Sequence, residues 1–190
     1  PFTGEPDNWG VPTTDPEEML ELALTASAAG LSLTIHAIGD RANRDVLNVL
    51  AEVRRQEALH GSAPHLRHRI EHVQVIHPAD LPRLAALDVL ASVQPIHATS
   101  DMLIVDRFWG PERAPGAYAF RSLLDSGAHL VFGSDGPIEP HAPLTGIHAA
   151  VTRRRADGTP GPAGWQPQER ITVAEAVDAY TYWPAYAAGE

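Results

Sequence analysis

Four short apolar runs punctuate the chain, and helical patterns fill the intervals between them. The runs are "LSLTIH" (31–36), "LRHRIEHV" (66–73), "VLASVQP" (89–95) and "HLVFGSD" (129–135). Strands that alternate with helices are joined by right-handed crossovers, which lay them parallel in one sheet. The expected fold class is therefore α/β with a parallel sheet. The spacing suits a (β/α) barrel of the TIM type, and equally a four-stranded open sheet. A complete eight-unit barrel needs about 250 residues, and this chain has 190.

The helices announce themselves by their ends. In "DPEEMLELALTASAAG" (15–30), Asp15 can cap, Pro16 suits the first helical position and Gly30 can stop the helix. Glu17 and Glu18 favour the positive end of its dipole, and Met19, Leu22, Ala23 and Ala26 recur at helical spacing. Asp40 can cap a second helix whose apolar side is Val46, Leu47, Val49, Leu50 and Val53. Further helices are expected over 77–88, 116–127 and 143–155, with a final one from the Thr172 cap to Ala188. Residues 1–15 and 156–170, rich in Gly and Pro, read as loop.

What the strands lead into matters more. Their carboxyl ends carry His36, then Glu71 and His72, then Gln94 and His97, then Ser134 and Asp135. In parallel α/β folds these ends share one face, and sites form there. Residues tens of positions apart can then converge. There is no cysteine, so thiolate sites and disulfides are excluded, and any metal must be held by histidine and carboxylate. Two imidazoles and a carboxylate suit Zn²⁺ or another divalent ion. His36, His72 and Asp135 are the expected set. Of the ten histidines, His65 and His68 precede the apolar part of their strand and are expected to be structural or solvated. His77, before Pro78, suits a helix start; His60, His129 and His148 sit in no motif.

The segments "HAIGDRAN", "RHRIEHVQ", "SVQPIH", "FGSDGPIEPHAPLTGIHAAVTR" and "ITVAEAVDAYT" occur in that order. Together they resemble the amidohydrolase superfamily, and within it family 3, the YtcJ-like branch, over nearly the whole chain. The resemblance implies a metal-dependent (β/α)₈ barrel fused to a small β-sandwich. It makes His36 the ligand on strand five, His72 the ligand on strand six, and Asp135 the strand-eight carboxylate that binds metal and shuttles a proton. Gln94 and His97 would line the substrate pocket. The implied reaction is hydrolysis of an amide-like, non-peptide C–N bond in a small molecule by a metal-activated water. The family's strand-one His-x-His pair, its strand-four lysine region and its sandwich have no counterpart here. The chain is thus expected to be the half-barrel of strands five to eight, and to self-associate or join the missing half. Without it, the chain would be at most a weak hydrolase.

Other classes fare worse. A net charge of −10 argues against a general nucleic-acid binder. No apolar run approaches the ~20 residues of a membrane span, and the start has no signal-peptide pattern. A cytoplasmic protein is expected. The chain has no lysine, which excludes lysine Schiff-base chemistry within it. The remaining rival is a non-catalytic barrel fragment, an association module that keeps an incomplete metal site.

Overall fold

The computed structural model describes residues 2–61 and 66–190. The elements run α1 (Pro16–Ala28), β1 (Thr34–Ala37), α2 (Asp40–His60), β2 (Arg69–His72), α3 (Leu81–Ala86), β3 (Leu90–Val93) and α4 (Pro95–Ser100). They continue α5 (Met102–Ile104), α6 (Phe120–Asp125), β4 (Leu130–Phe132), α7 (Pro143–Thr152), α8 (Val173–Tyr180) and α9 (Tyr182–Ala188). The four strands pair in parallel in the order β1-β2-β3-β4. The alternation implies a parallel sheet, and the sequential strand order is that of a partial TIM-type barrel.

The register sorts the strand residues into two layers. Ile35, Ile70, Ala91 and Leu130 lie in one row and belong to or pack on the hydrophobic core. Val46, Leu47, Val49, Leu50 and Val53 of α2 are all buried there, as their spacing predicts. The alternate residues form the opposite face, on which His36, Glu71, Ser92 and Val131 share a row. An Arg69–Glu71 ion pair at 2.9 Å crosses this face. The inner side of the arc is polar at its centre.

Local chemistry explains most boundaries. The Asp15 side chain accepts from Glu17 N–H, and Pro16 opens α1. Asp40 is the first residue of α2 rather than its cap, a position taken by Gly39. Leu22 points to solvent, and Ala23 and Ser27 form the buried side of α1. The segment after β3 starts a short helix at once on Pro95. Proline at the first helical position loses no intrahelical bond. The expected final helix is broken at Thr181. Pro184 cannot donate to the Tyr180 carbonyl four residues back, and its ring crowds that oxygen. Gly146 in α7 lies where any Cβ would collide with the Tyr180 hydroxyl, so α7 and α8 pack at glycine distance.

Thr172 caps α8 in a reciprocal box. Its hydroxyl accepts from Glu175 N–H at 3.2 Å, and the Glu175 carboxylate accepts from Thr172 N–H at 2.7 Å. Arg121, bonded to the same carboxylate, holds the Glu175 acid down at about 2. The depressed value means that this pairing supports the fold above the ordinary glutamate range and fades as pH falls toward 2. Thr172→Ala is expected to lower stability by about 1 kcal/mol, read as a shifted denaturation midpoint.

His68 is fully buried. Its Nδ1 accepts from Leu33 N–H at 3.0 Å and its Nε2 faces a Glu57 carboxylate oxygen at 2.9 Å. It ties β1 to α2 from the amino-terminal end of the strands, as the structural reading requires; His65 lies outside the described residues. His68→Ala is expected to cost about 1–3 kcal/mol, because it strands a buried N–H and a part-buried carboxylate. Zinc affinity should be unchanged. Loss of bound zinc with the fold intact would refute the structural role.

Candidate functional site

The inward alternation of β1 ends on His36, which is solvent-exposed. On β2 the same alternation would aim His72 the other way, since His72 pairs with the core residue Ala37. The backbone corrects this. His72 and Val73 both adopt left-handed conformations, with φ of +76° and +41°. A positive φ on a β-branched residue is a true outlier, and each such residue costs about 1–3 kcal/mol. The result is an exchange: Val73 enters the core and the His72 ring lies against His36, with centroids 4.5 Å apart.

The His72 ring is then fixed from behind. Its Nδ1–H donates to Gln94 Oε1 at 2.8 Å, which leaves the Nε2 lone pair for the site. Gln94 is buried and orients His72. Burial lowers the His72 pKa below the usual imidazole range, and positive charge on the neighbouring His36 or His97 ring would push the same way. Gln94 and Asp135 oppose that shift. The net effect keeps His72 neutral, the form that binds metals.

His97 stands on the first turn of α4 and is buried. Its ring is stacked nearly parallel to His72, 6.0 Å away. Asp135 follows β4 on a left-handed backbone (φ +51°) and is exposed. His97 Nε2 lies 3.4 Å from Asp135 Oδ2. Two ligands of one tetrahedral ion with bonds near 2.1 Å sit about that far apart. Potential ligand atoms of His72, His97 and Asp135 all lie within 4.8 Å of one another. This donor set, two imidazoles and a carboxylate, fits a divalent ion of the zinc type.

The strand ends thus bring His36, His72, Gln94, His97 and Asp135 to one face. His36 touches His72 but stands outside the tightest group, and His97 stands inside it. Sequence reasoning did not single out Glu139, although it lies within the segment "FGSDGPIEPHAPLTGIHAAVTR". Its carboxylate faces His97 Nδ1 at 3.5 Å and accepts from Ser100 Oγ at 2.6 Å. The aromatic run 180–186 is structural: Tyr180 packs on Phe132 and Trp183 stacks on His129 at 3.7 Å, beside the amino end of β4.

Known proteins resemble this chain in sequence and fold. The profile of the amidohydrolase family matches residues 2–190. Protein LONG AFTER FAR-RED 3 of Arabidopsis thaliana is 38% identical over 188 residues, which are 98% of this chain and 31% of that protein. Putative amidohydrolase YtcJ of Bacillus subtilis (strain 168) is 32% identical over 182 residues, 95% of this chain and 33% of its own length. An uncharacterized metal-dependent hydrolase from Pyrococcus horikoshii OT3 superposes with a TM-score of 0.83 at 32% identity, covering 98% of this chain and 36% of that one. The chain spans about a third of the length of the curated relatives it matches. With the family profile matching residues 2–190 and a relative 32% identical over 95% of this chain's length, the chain belongs to the amidohydrolase family.

Proposed function

We propose that this chain carries part of the active site of a metal-dependent hydrolase that cleaves amide-like, non-peptide C–N bonds. The observation that carries the reading is the convergence of His72, His97 and Asp135 ligand atoms within 4.8 Å at the carboxyl ends of parallel strands. His72 and Asp135 would hold the ion, with His36 and His97 flanking them as candidates for the next position. A bound Zn²⁺ or similar ion acidifies water and polarises a carbonyl. Asp135, on the exposed side of the group, takes the proton of the attacking water and returns it to the leaving nitrogen. Water oxygen bonds to the carbonyl carbon, the C–N bond breaks, and a carboxylic acid and an amine leave. Gln94 acts from behind by holding His72.

The same proposal takes the four strands as strands five to eight of a barrel whose remaining half and small β-sandwich lie elsewhere. Support comes from the length of the relatives and from β1 and β4, which each pair on one side only among the described residues. The partner would be the complementary half-barrel or a second copy, and a cytoplasmic location belongs to the same proposal. Among the described residues, no helix is long and apolar enough to cross a membrane.

Metal content per chain, together with turnover of simple N-acyl amides with and without added Zn²⁺, tests the assignment. Stoichiometric metal and metal-dependent amine release support it; a chain that takes up no divalent ion overturns it. The exposure of His36 and Asp135 favours one second reading, an association module with an incomplete site. Bound metal without turnover, in a species larger than a monomer by light scattering, would support that reading instead.

A further inference from the structure

We propose that Glu139 is a positioning residue that fixes the ring of His97 with its proton on Nδ1 and its Nε2 lone pair turned into the site. The inference rests on the metal-site reading above and concerns a residue that the strand-end pattern does not include. His97 lies between two carboxylates: Glu139 Oε1 is 3.5 Å from Nδ1, and Asp135 Oδ2 is 3.4 Å from Nε2. Each competes for the ring proton at nearly equal distance, so the surroundings decide. The Asp135 side chain is 41% exposed and the Glu139 side chain 14%. Water screens the first more than the second, so the field of Glu139 at the ring is the stronger.

Glu139 is also held in place. Ser100 Oγ donates to its Oε1 at 2.6 Å, from the last residue of the helix that carries His97. The carboxylate bridges the loop after β4 to α4 and meets the ring from behind. A histidine that offers one nitrogen to an ion and is backed by a carboxylate on the other is a common way to set tautomer and orientation. The chain has the parts of such a pair at Glu139 and His97, as it has with an amide at Gln94 and His72.

The test uses the full chain labelled with ¹⁵N-histidine. Long-range ¹H–¹⁵N spectra of the metal-free protein, at a pH well above the usual imidazole range, report which nitrogen of His97 keeps the proton. We expect Nδ1–H in the wild type and in Glu139→Gln, whose amide oxygen still accepts. We expect a shift toward Nε2–H in Glu139→Ala. A wild-type ring protonated at Nε2, or spectra unmoved by Glu139→Ala, would overturn the proposal. Zinc titrations give the second arm. Removing such a backing group weakens metal binding by about 10–100-fold, and that loss should vanish when His97→Ala is already present. An equal loss in both backgrounds would make Glu139 a direct ligand and overturn the positioning role. If the wild type binds no zinc, the metal-site reading fails, and the ring-proton result still decides Glu139.

Discussion

His72→Ala is expected to reduce Zn²⁺ affinity by more than 100-fold, measured by competition with a chromophoric chelator. Loss of a backing residue alone costs about 10–100-fold, and His72 stands at the centre of the group. Its ring contacts His36 and stacks near His97, and its Nδ1 is tied to Gln94. Asp135→Asn should fall in the same range, because it removes the one carboxylate in the group. Gln94→Leu should fall within 10–100-fold, since it frees the His72 ring without removing a ligand. His36→Ala and His97→Ala then rank the two flanking imidazoles, and the larger loss identifies the third donor. Zinc affinity unaltered by His72→Ala, in a protein that still unfolds cooperatively, would end the case for this site.

The largest effect on folding is expected at Phe120. Its ring is 1% exposed, lies 5.8 Å from Phe132 and 6.4 Å from Tyr118, and sits under the buried Arg153 guanidinium at 5.1 Å. Arg153 is fully buried, and its Nε and Nη1 donate to the carbonyls of Trp165 and Tyr118. Burial lowers its pKa to about 10. Phe120→Ala removes the ring and one aromatic wall of that charge together. A loss of about 3–5 kcal/mol is expected, against a total stability of about 5–15 kcal/mol for a typical domain. Denaturant unfolding should show it as a midpoint shift. Phe120→Leu, which keeps most of the volume, should cost far less. A loss below about 1 kcal/mol in the alanine variant would mean that the core there is not closed.

Much of this was legible from residue order. Periodicity located all four strands and the five buried apolar residues of α2, because both depend on which side chains leave water. The Thr172 cap and the Pro16 start are local hydrogen-bond chemistry and read equally well. Two departures had signals that went unused: Pro95 as a first helical residue, and Pro184 crowding the Tyr180 carbonyl. Others had none. Strand alternation assigns His72 to the core side, and only the left-handed backbone at His72 and Val73 reverses it. Glu139 reaches His97 across 42 positions, from a loop without periodicity. Arg153 is one of three consecutive arginines, and nothing in their order shows that it is buried against Trp165 of the 156–170 segment.

The two layers of the sheet have a consequence for how such a chain can diverge. Every second strand residue, Ile35, Ile70, Ala91 and Leu130, packs with the helices. Its neighbours Thr34, His36, Glu71 and Ser92 line the other face. The first row contributes to the apolar core, and the second reaches the candidate site at His36. Substitutions at the exposed inner positions Thr34 and His36 can therefore accumulate with little change in the folding transition, as surface substitutions do, while those on the outer row are purged by the cavities they leave. A lineage built on this arc is free to retune what it recognises without first rebuilding what keeps it folded. The exception is the residue pair His72–Val73, where one strained turn of backbone serves both rows and neither can drift alone.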